Sequence, residues 1–276
     1  MRHAATESVV QTTIDLDLQT HIEDVARAHI APGVDGVAVV ILDRQSGELR
    51  AMLGSRDYRT HPLNAATCRR SAGSTLKPFL YALALDAGLG GPEQLVQDTP
   101  LAFRDYAPRN FEGAYQGAVT TAEALSASRN IPAVRLLRDV GPERFADLLC
   151  SVGIRLPAHA LHVDAALGTL SVSPLELARA YQRLAGPKDV PGLTQRVRDQ
   201  VIAALAAASP DRRRASDGTV AWKTGTSSGR RDAWCAGITS EEIIVVWLGR
   251  LDGGAHADLV GGRTAADLLA ALVAAL

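Results

Sequence analysis

Three short stretches of this chain carry residue types that can act together. Ser74-Thr75-Leu76-Lys77 places a hydroxyl and an amine one helical turn apart. Ser128-Arg129-Asn130 adds a second hydroxyl and an amide, and Lys223-Thr224-Gly225-Thr226 adds a second amine, two more hydroxyls and a glycine. Ser74 follows Ala72-Gly73 and reads as the mouth of a helix, where its N–H has no intrahelical partner and the helix dipole favours a developing anion. Lys77, three residues on, projects from the same helix face. A neutral lysine can take a serine proton, provided its pKa is depressed by burial or by a neighbouring positive charge, and Lys223 is the candidate for that charge. The Ser128 hydroxyl can pass a proton to a leaving amine, and the Asn130 amide can hold a peptide group. Lys223 with the hydroxyls of Thr224 and Thr226 makes a receptor for a carboxylate, while Gly225 lets a substrate backbone approach closely. In isolation each stretch also fits a commonplace: a solvated helix start, a polar helix C-cap, a strand running into a polar turn.

These groups must be positioned by the elements around them. Val37 to Asp43 (VAVVILD) reads as a buried strand from its β-branched content, and Glu48 to Leu53 as a second, joined by the short turn Arg44-Gln45-Ser46-Gly47. An N-terminal helix precedes them, with helical spacing from about Leu18. The middle is helical: Ser74 to Leu89, Thr120 to Ser128 with Thr120 or Thr121 as N-cap, Pro132 to Asp139, Pro142 to Val152, a helix from Ser173-Pro174, and Leu193 to Ala208. Ser-x-Asn falls where a helix ends against Ile131-Pro132. Thr219 to Thr224, Asp232 to Ile238 and Glu242 to Leu248 read as strands, and a last helix runs from about Thr264 to Ala275. Alternation puts Lys223 on one sheet face and Trp222 on the other.

The fold class predicted is therefore α/β, of the α+β kind. Its core is a five-stranded antiparallel sheet of N- and C-terminal strands. The first and last helices cover one face and the all-helical middle, about 74–210, covers the other. Residues 1–12 read as a disordered or linker N-terminus and 13–276 as one domain.

The composition narrows the choice of function. With 29 Lys and Arg against 30 Asp and Glu, the chain offers no electrostatic reason to bind nucleic acid. The run Arg212-Arg213-Arg214 reads as a solvated loop. Three cysteines (Cys68, Cys150, Cys235) without Cys-x-x-Cys spacing and seven scattered histidines, His159 and His162 among them, point to neither a disulfide framework nor a metal site. No cofactor is implied. No signal peptide or membrane span is legible, and the apolar tail from Ala265 to Leu276 is too short to span.

Taken together, the three stretches resemble those of the transpeptidase domain of penicillin-binding proteins, closest to the class A bifunctional peptidoglycan synthases and their C-type subgroup. The likeness extends to Asn64-Ala65-Ala66-Thr67 with Arg70, Gly73 to Phe79, and Tyr106-Ala107-Pro108-Arg109-Asn110-Phe111. It continues through Ala124-Leu125, Ser128 to Val134, Leu167-Gly168-Thr169, Pro174 to Ala178 with Tyr181, Trp222 to Thr226, and Asp232-Ala233-Trp234. It covers roughly residues 12 to 275.

The resemblance implies that Ser74 attacks the penultimate D-Ala carbonyl of a peptidoglycan stem peptide, with Lys77 as general base. It implies that Ser128, with Lys77 or Lys223, carries the proton to the leaving amine. The N–H groups of Ser74 and Thr226 form the oxyanion hole, Asn130 orients the donor chain, and Lys223, Thr224 and Thr226 bind the terminal carboxylate. An amine from a neighbouring stem then completes the crosslink, and β-lactams trap Ser74. It further implies a membrane-anchored parent with a glycosyltransferase domain, working on the periplasmic or extracytoplasmic face. The chain carries neither feature and reads as an excised or truncated domain, compact enough to predict shortened substrate-side loops.

Three other activities share this chemistry. A class A β-lactamase needs a deacylating glutamate in a Glu-x-x-Leu-Asn loop, and none stands between residues 131 and 222; Glu176, in Pro-Leu-Glu-Leu-Ala, reads as structural. A D,D-carboxypeptidase, resolving the same ester with water, and a non-catalytic β-lactam-sensing or interaction module remain compatible with the motifs.

Overall fold

The computed structural model describes residues 10–102, 107–157, 161–207, 214–215, 218–274 and 276. Its centre is an antiparallel sheet in the order β2-β1-β11-β10-β9, formed by β1 (Gly36–Asp43), β2 (Leu49–Leu53), β9 (Ala221–Thr226), β10 (Asp232–Ile238) and β11 (Glu242–Gly249). The two ends of the chain meet where β1 pairs with β11, Val39 opposite Val246. Both strands are apolar without interruption because both of their faces are covered. Ala38, Val40, Leu42, Ile243, Val245 and Trp247 enter the core shared with the helical middle. Val37, Val39, Ile41, Ile244, Val246 and Leu248 enter a second core under α1 (Leu16–His29) and α8 (Ala266–Val273). Each fully buried aliphatic side chain contributes roughly 1.5–3 kcal/mol. The five-stranded sheet and its two helical covers are as predicted.

The chain between β2 and β9 builds the helical side. It contains α2 (Lys77–Asp86), α3 (Thr121–Ser126), α4 (Asn130–Val140), α5 (Pro142–Ser151), α6 (Pro174–Ala185) and α7 (Gln195–Ala207). Thr120 caps α3 and Ser173 caps α6, each in a reciprocal box with the glutamate three residues on. Three small two-stranded sheets went unread in the sequence: β3 (Arg70–Ser71) with β6 (Ser171–Val172), β4 (Leu95–Asp98) with β5 (Gly117–Thr120), and β7 (Arg214–Ala215) with β8 (Gly218–Thr219).

Other boundaries moved. The helix expected from Ser74 is a 3₁₀ turn, Gly73–Leu76, followed by α2. α4 starts at Asn130 and not at Pro132. A proline in the first turn is tolerated because the N–H groups there need no intrahelical partner. β9 runs on through Gly225 and Thr226, which pair with Trp234 and Ala233, although glycine and the following serines suggested a turn. Residues 1–9 of the expected linker, Tyr106, His159, Ala208, Arg212, Arg213 and Ala275 lie outside the described residues. Among the described residues no helix is long and apolar enough to cross a membrane.

Candidate active site

Ser74 is held by backbone more than by side chains. In the 3₁₀ turn the Ala72 carbonyl accepts from the Thr75 N–H and, at 2.8 Å, from the Thr75 hydroxyl. The Tyr181 hydroxyl donates to the Thr75 carbonyl at 2.7 Å. Gly73 has φ +53°, and a Cβ on it would sit 2.8 Å from the Thr226 nitrogen. A Cβ on Gly225 would sit 2.7 Å from the Ala72 oxygen and 3.2 Å from the Ser74 nitrogen. Two glycines thus let the turn and the strand touch backbone to backbone. β9 is the sheet edge. The Ser227 N–H bonds inward to the Asp232 carbonyl, so alternation turns the Thr226 N–H and the Thr224 C=O towards the free edge, beside Ser74. The Ser227 hydroxyl, donating to the Asp232 carboxylate at 2.7 Å, pins the turn that follows.

The Ser-x-Asn stretch lies between two helices. The chain leaves α3 with Ser128 at φ +56° and enters α4 at Asn130. A left-handed conformation is costly for serine, so its surroundings must enforce it. They do so through a buried network absent from the sequence reading. Asp98, fully buried, accepts from two Arg129 nitrogens at 2.8 and 2.5 Å and from Asn110 Nδ2 at 2.7 Å. The Asn110 Oδ1 in turn accepts the N–H groups of Asn130 and Ile131, capping α4. Desolvation pushes the Asp98 carboxyl up, but the bonds from Asn110, Arg129 and the Gln116 N–H outweigh it and hold the pKa below 3.8. Removing the carboxylate leaves Arg129 buried without its partner. Asp98→Ala should cost about 3–5 kcal/mol of stability, read as a lower urea midpoint; a loss below 1 kcal/mol would mean the pair is not the anchor described.

Lys77 and Lys223 converge on Ser128. Lys77 is 1% exposed, and its Nζ donates to the Ser128 carbonyl at 2.7 Å, the Asn130 Oδ1 at 2.7 Å and the Arg129 carbonyl at 3.2 Å, with Ser128 Oγ at 3.5 Å. Lys223 Nζ donates to Ser128 Oγ at 2.8 Å and to the Thr224 carbonyl at 2.9 Å. The Ser128 hydroxyl therefore stands between two amines. Burial lowers the Lys77 pKa well below 10.5, the Lys223 charge lowers it further, and Glu112 pulls weakly the other way. Burial also brings Lys223 down to about 7. Ser74 Oγ has no hydrogen-bond partner among the described residues, and the Lys77 amine is bonded on the Ser128 side instead.

Ser74, Ser128, Asn130, Thr224, Gly225 and Thr226 line one cleft of about 300 Å³. The Thr226 hydroxyl accepts the Gly261 N–H at 2.9 Å and keeps its own proton to donate. Trp222 packs in the α1/α8 core, on the opposite face from Lys223, as alternation required. Two larger clefts, of about 400 and 610 Å³, contain none of the three motifs. Glu176 closes the cap of α6 and pairs with Arg69 and Arg155, away from the cleft. The acidic residue that does line the cleft is Glu112, outside the interval the sequence directed attention to.

Residues 37–230 match the model of the penicillin-binding protein transpeptidase domain. The chain is 34% identical to Penicillin-binding protein 1C of Escherichia coli (strain K12), over 94% of this chain and 37% of that protein. It is 28% identical to Penicillin-binding protein 1F of Bacillus subtilis (strain 168), over 87% of this chain and 39% of that protein. It thus spans less than two fifths of either. Among solved structures, penicillin-binding protein PonA1 of Mycobacterium tuberculosis superimposes with a TM-score of 0.84 at 25% identity, covering 96% of this chain and 83% of that one. PonA1 in complex with penicillin V gives 0.83 at 26% identity, covering 96% and 85%.

Proposed function

The chain belongs to the penicillin-binding protein transpeptidase family, and from that premise we propose that it is a peptidoglycan D,D-transpeptidase working through an ester on Ser74. The observation that carries this reading is the Lys77–Ser128–Lys223 cluster, two buried amines of lowered pKa meeting at one hydroxyl beside the nucleophile.

Ser74 Oγ attacks the penultimate D-Ala carbonyl while neutral Lys77 takes its proton. The oxyanion points at the Ser74 and Thr226 N–H groups, which the touching backbones hold together before substrate arrives. Ser128, bonded to both amines, hands the proton to the leaving D-Ala nitrogen. Asn130 keeps the donor chain against the open β9 edge. Lys223 with Thr224 and Thr226 receives the terminal carboxylate, and the nearby anion favours the charged form of Lys223. An amine of a second stem then attacks the ester and forms the crosslink. β-Lactams enter as mimics of D-Ala-D-Ala. The parent protein, on this reading, is anchored at the extracytoplasmic face and also carries a glycosyltransferase domain.

Turnover tests the reading. Within residues 131–222 the glutamate singled out, Glu176, is tied up away from the cleft. Water attack on the ester therefore has no general base from that interval, a contribution worth about 10²–10⁴-fold. The penicilloyl-enzyme should persist for hours, while a D-amino acid acceptor should speed release of an acyl group delivered from a thioester. Release by water alone, indifferent to the acceptor, would make the chain a carboxypeptidase. Nitrocefin hydrolysis at many turnovers per second would make it a β-lactamase.

A further inference from the structure

The cleft contains one charged group that the reaction above leaves unused. Glu112 lies on the helical side, with Phe111, Ser126 and Ser128, across from the β9 edge. It stands on a prepared support. The Asn110 carbonyl accepts the Gly113 N–H at 3.0 Å and Gly113 has φ +74°, so Phe111 and Glu112 are the two central residues of a tight turn. That turn is fixed from behind by the Asn110 side chain, which bonds Asp98 and the start of α4. Its two central residues are presented outward: Phe111 is 66% exposed and the Glu112 side chain 61%.

Within the protein Glu112 is only loosely paired. Arg129 is already matched by Asp98, which accepts two of its nitrogens. It reaches Glu112 only through one remaining N–H, at 3.4 Å. The two lysines nearby are both displaced towards their neutral forms by burial. A carboxylate accepts about four hydrogen bonds, and this one has most of that capacity open to the cleft. The two sides are thus opposite in character: Lys223 and the threonine hydroxyls on β9 suit an anion, and Glu112 suits a cation.

Resting on the transpeptidase reading, we infer that Glu112 receives a primary ammonium on the peptide substrate, at the end of an aliphatic side chain whose methylenes lie along Phe111. That amine belongs either to the donor stem or to the acceptor stem, and the two are separated by experiment.

For the donor arm, two thioester peptides that differ only in a free or an acetylated side-chain amine are compared for the rate of Ser74 acylation by intact mass. For the acceptor arm, an uncharged thioester donor is paired with dipeptide acceptors that do or do not carry a second ammonium, and the ratio of aminolysis to hydrolysis is read. One arm should show about a fivefold preference for the ammonium, the size of a partly exposed ion pair. Glu112→Gln should abolish that preference, Glu112→Asp should retain part of it, and 0.5 M salt should weaken it in the wild type. Melting temperatures of the variants check that the exposed position leaves the fold intact. No preference in either arm, or an undiminished one in Glu112→Gln, overturns the inference. Labelling of the wild type by benzylpenicillin, which has no ammonium, keeps the two proposals apart. If labelling is absent the transpeptidase reading itself fails; if it is present without ammonium preference, only the role of Glu112 fails.

Discussion

Incubated with benzylpenicillin, the wild-type chain should gain the mass of one penicilloyl group, and Ser74→Ala should gain none. This is the largest effect expected, because no neighbouring hydroxyl can take over. Ser128 Oγ is bonded to Lys223 at 2.8 Å, and the Thr75 hydroxyl is spent on the Ala72 carbonyl. The substitution removes one oxygen from a position with no hydrogen-bond partner among the described residues, so the fold should be unaffected. A wild-type chain that is folded by circular dichroism and stays unlabelled would sink the assignment of Ser74.

Lys77→Arg should leave a folded protein whose acylation rate falls by about 10²–10⁴-fold, the usual contribution of a positioned base. Arginine keeps the positive charge and can still donate to the Ser128 and Asn130 oxygens, but it does not deprotonate at any accessible pH. The wild-type rate should rise with pH as Lys77 loses its proton, a step brought well below 10.5 by burial and by the Lys223 charge, and should level off above it. The variant should lack that rise. Lys223→Arg should be milder, since a cation to receive the carboxylate remains. Equal losses in the two variants would reduce Lys77 to an electrostatic partner.

The strands of the sheet were legible because their signals are local. β1 and β11 are runs of β-branched residues buried on both faces, and their neighbours are hairpins closed by short turns. The cap of α3 was equally readable, since Thr120 and Glu123 lie within four consecutive residues. The start of α4 was misread because Pro132 is normally evidence of a first position; what admits it as the third residue is the Asn110 side chain, brought from 20 positions away to bond the Asn130 N–H.

The residues of the candidate site were all readable along the chain: a serine with a lysine three positions on, a Ser-x-Asn and a Lys-Thr-Gly-Thr, in an order and context that already implied acyl-serine chemistry. They were readable because each motif is a short stretch whose residue types must be there for the chemistry to occur. How these groups are joined was set by the packing in three dimensions. It put Ser128 between Lys77 and Lys223, whose separations from it along the chain are 51 and 95 residues. It also placed Asp98 under Arg129, 31 residues away, and turned Glu112 into the cleft. Such partners carry no mark in a single sequence, because a hydrogen bond or a desolvation penalty depends on distance in space, and that distance is fixed when the sheet edge and the helical side pack together.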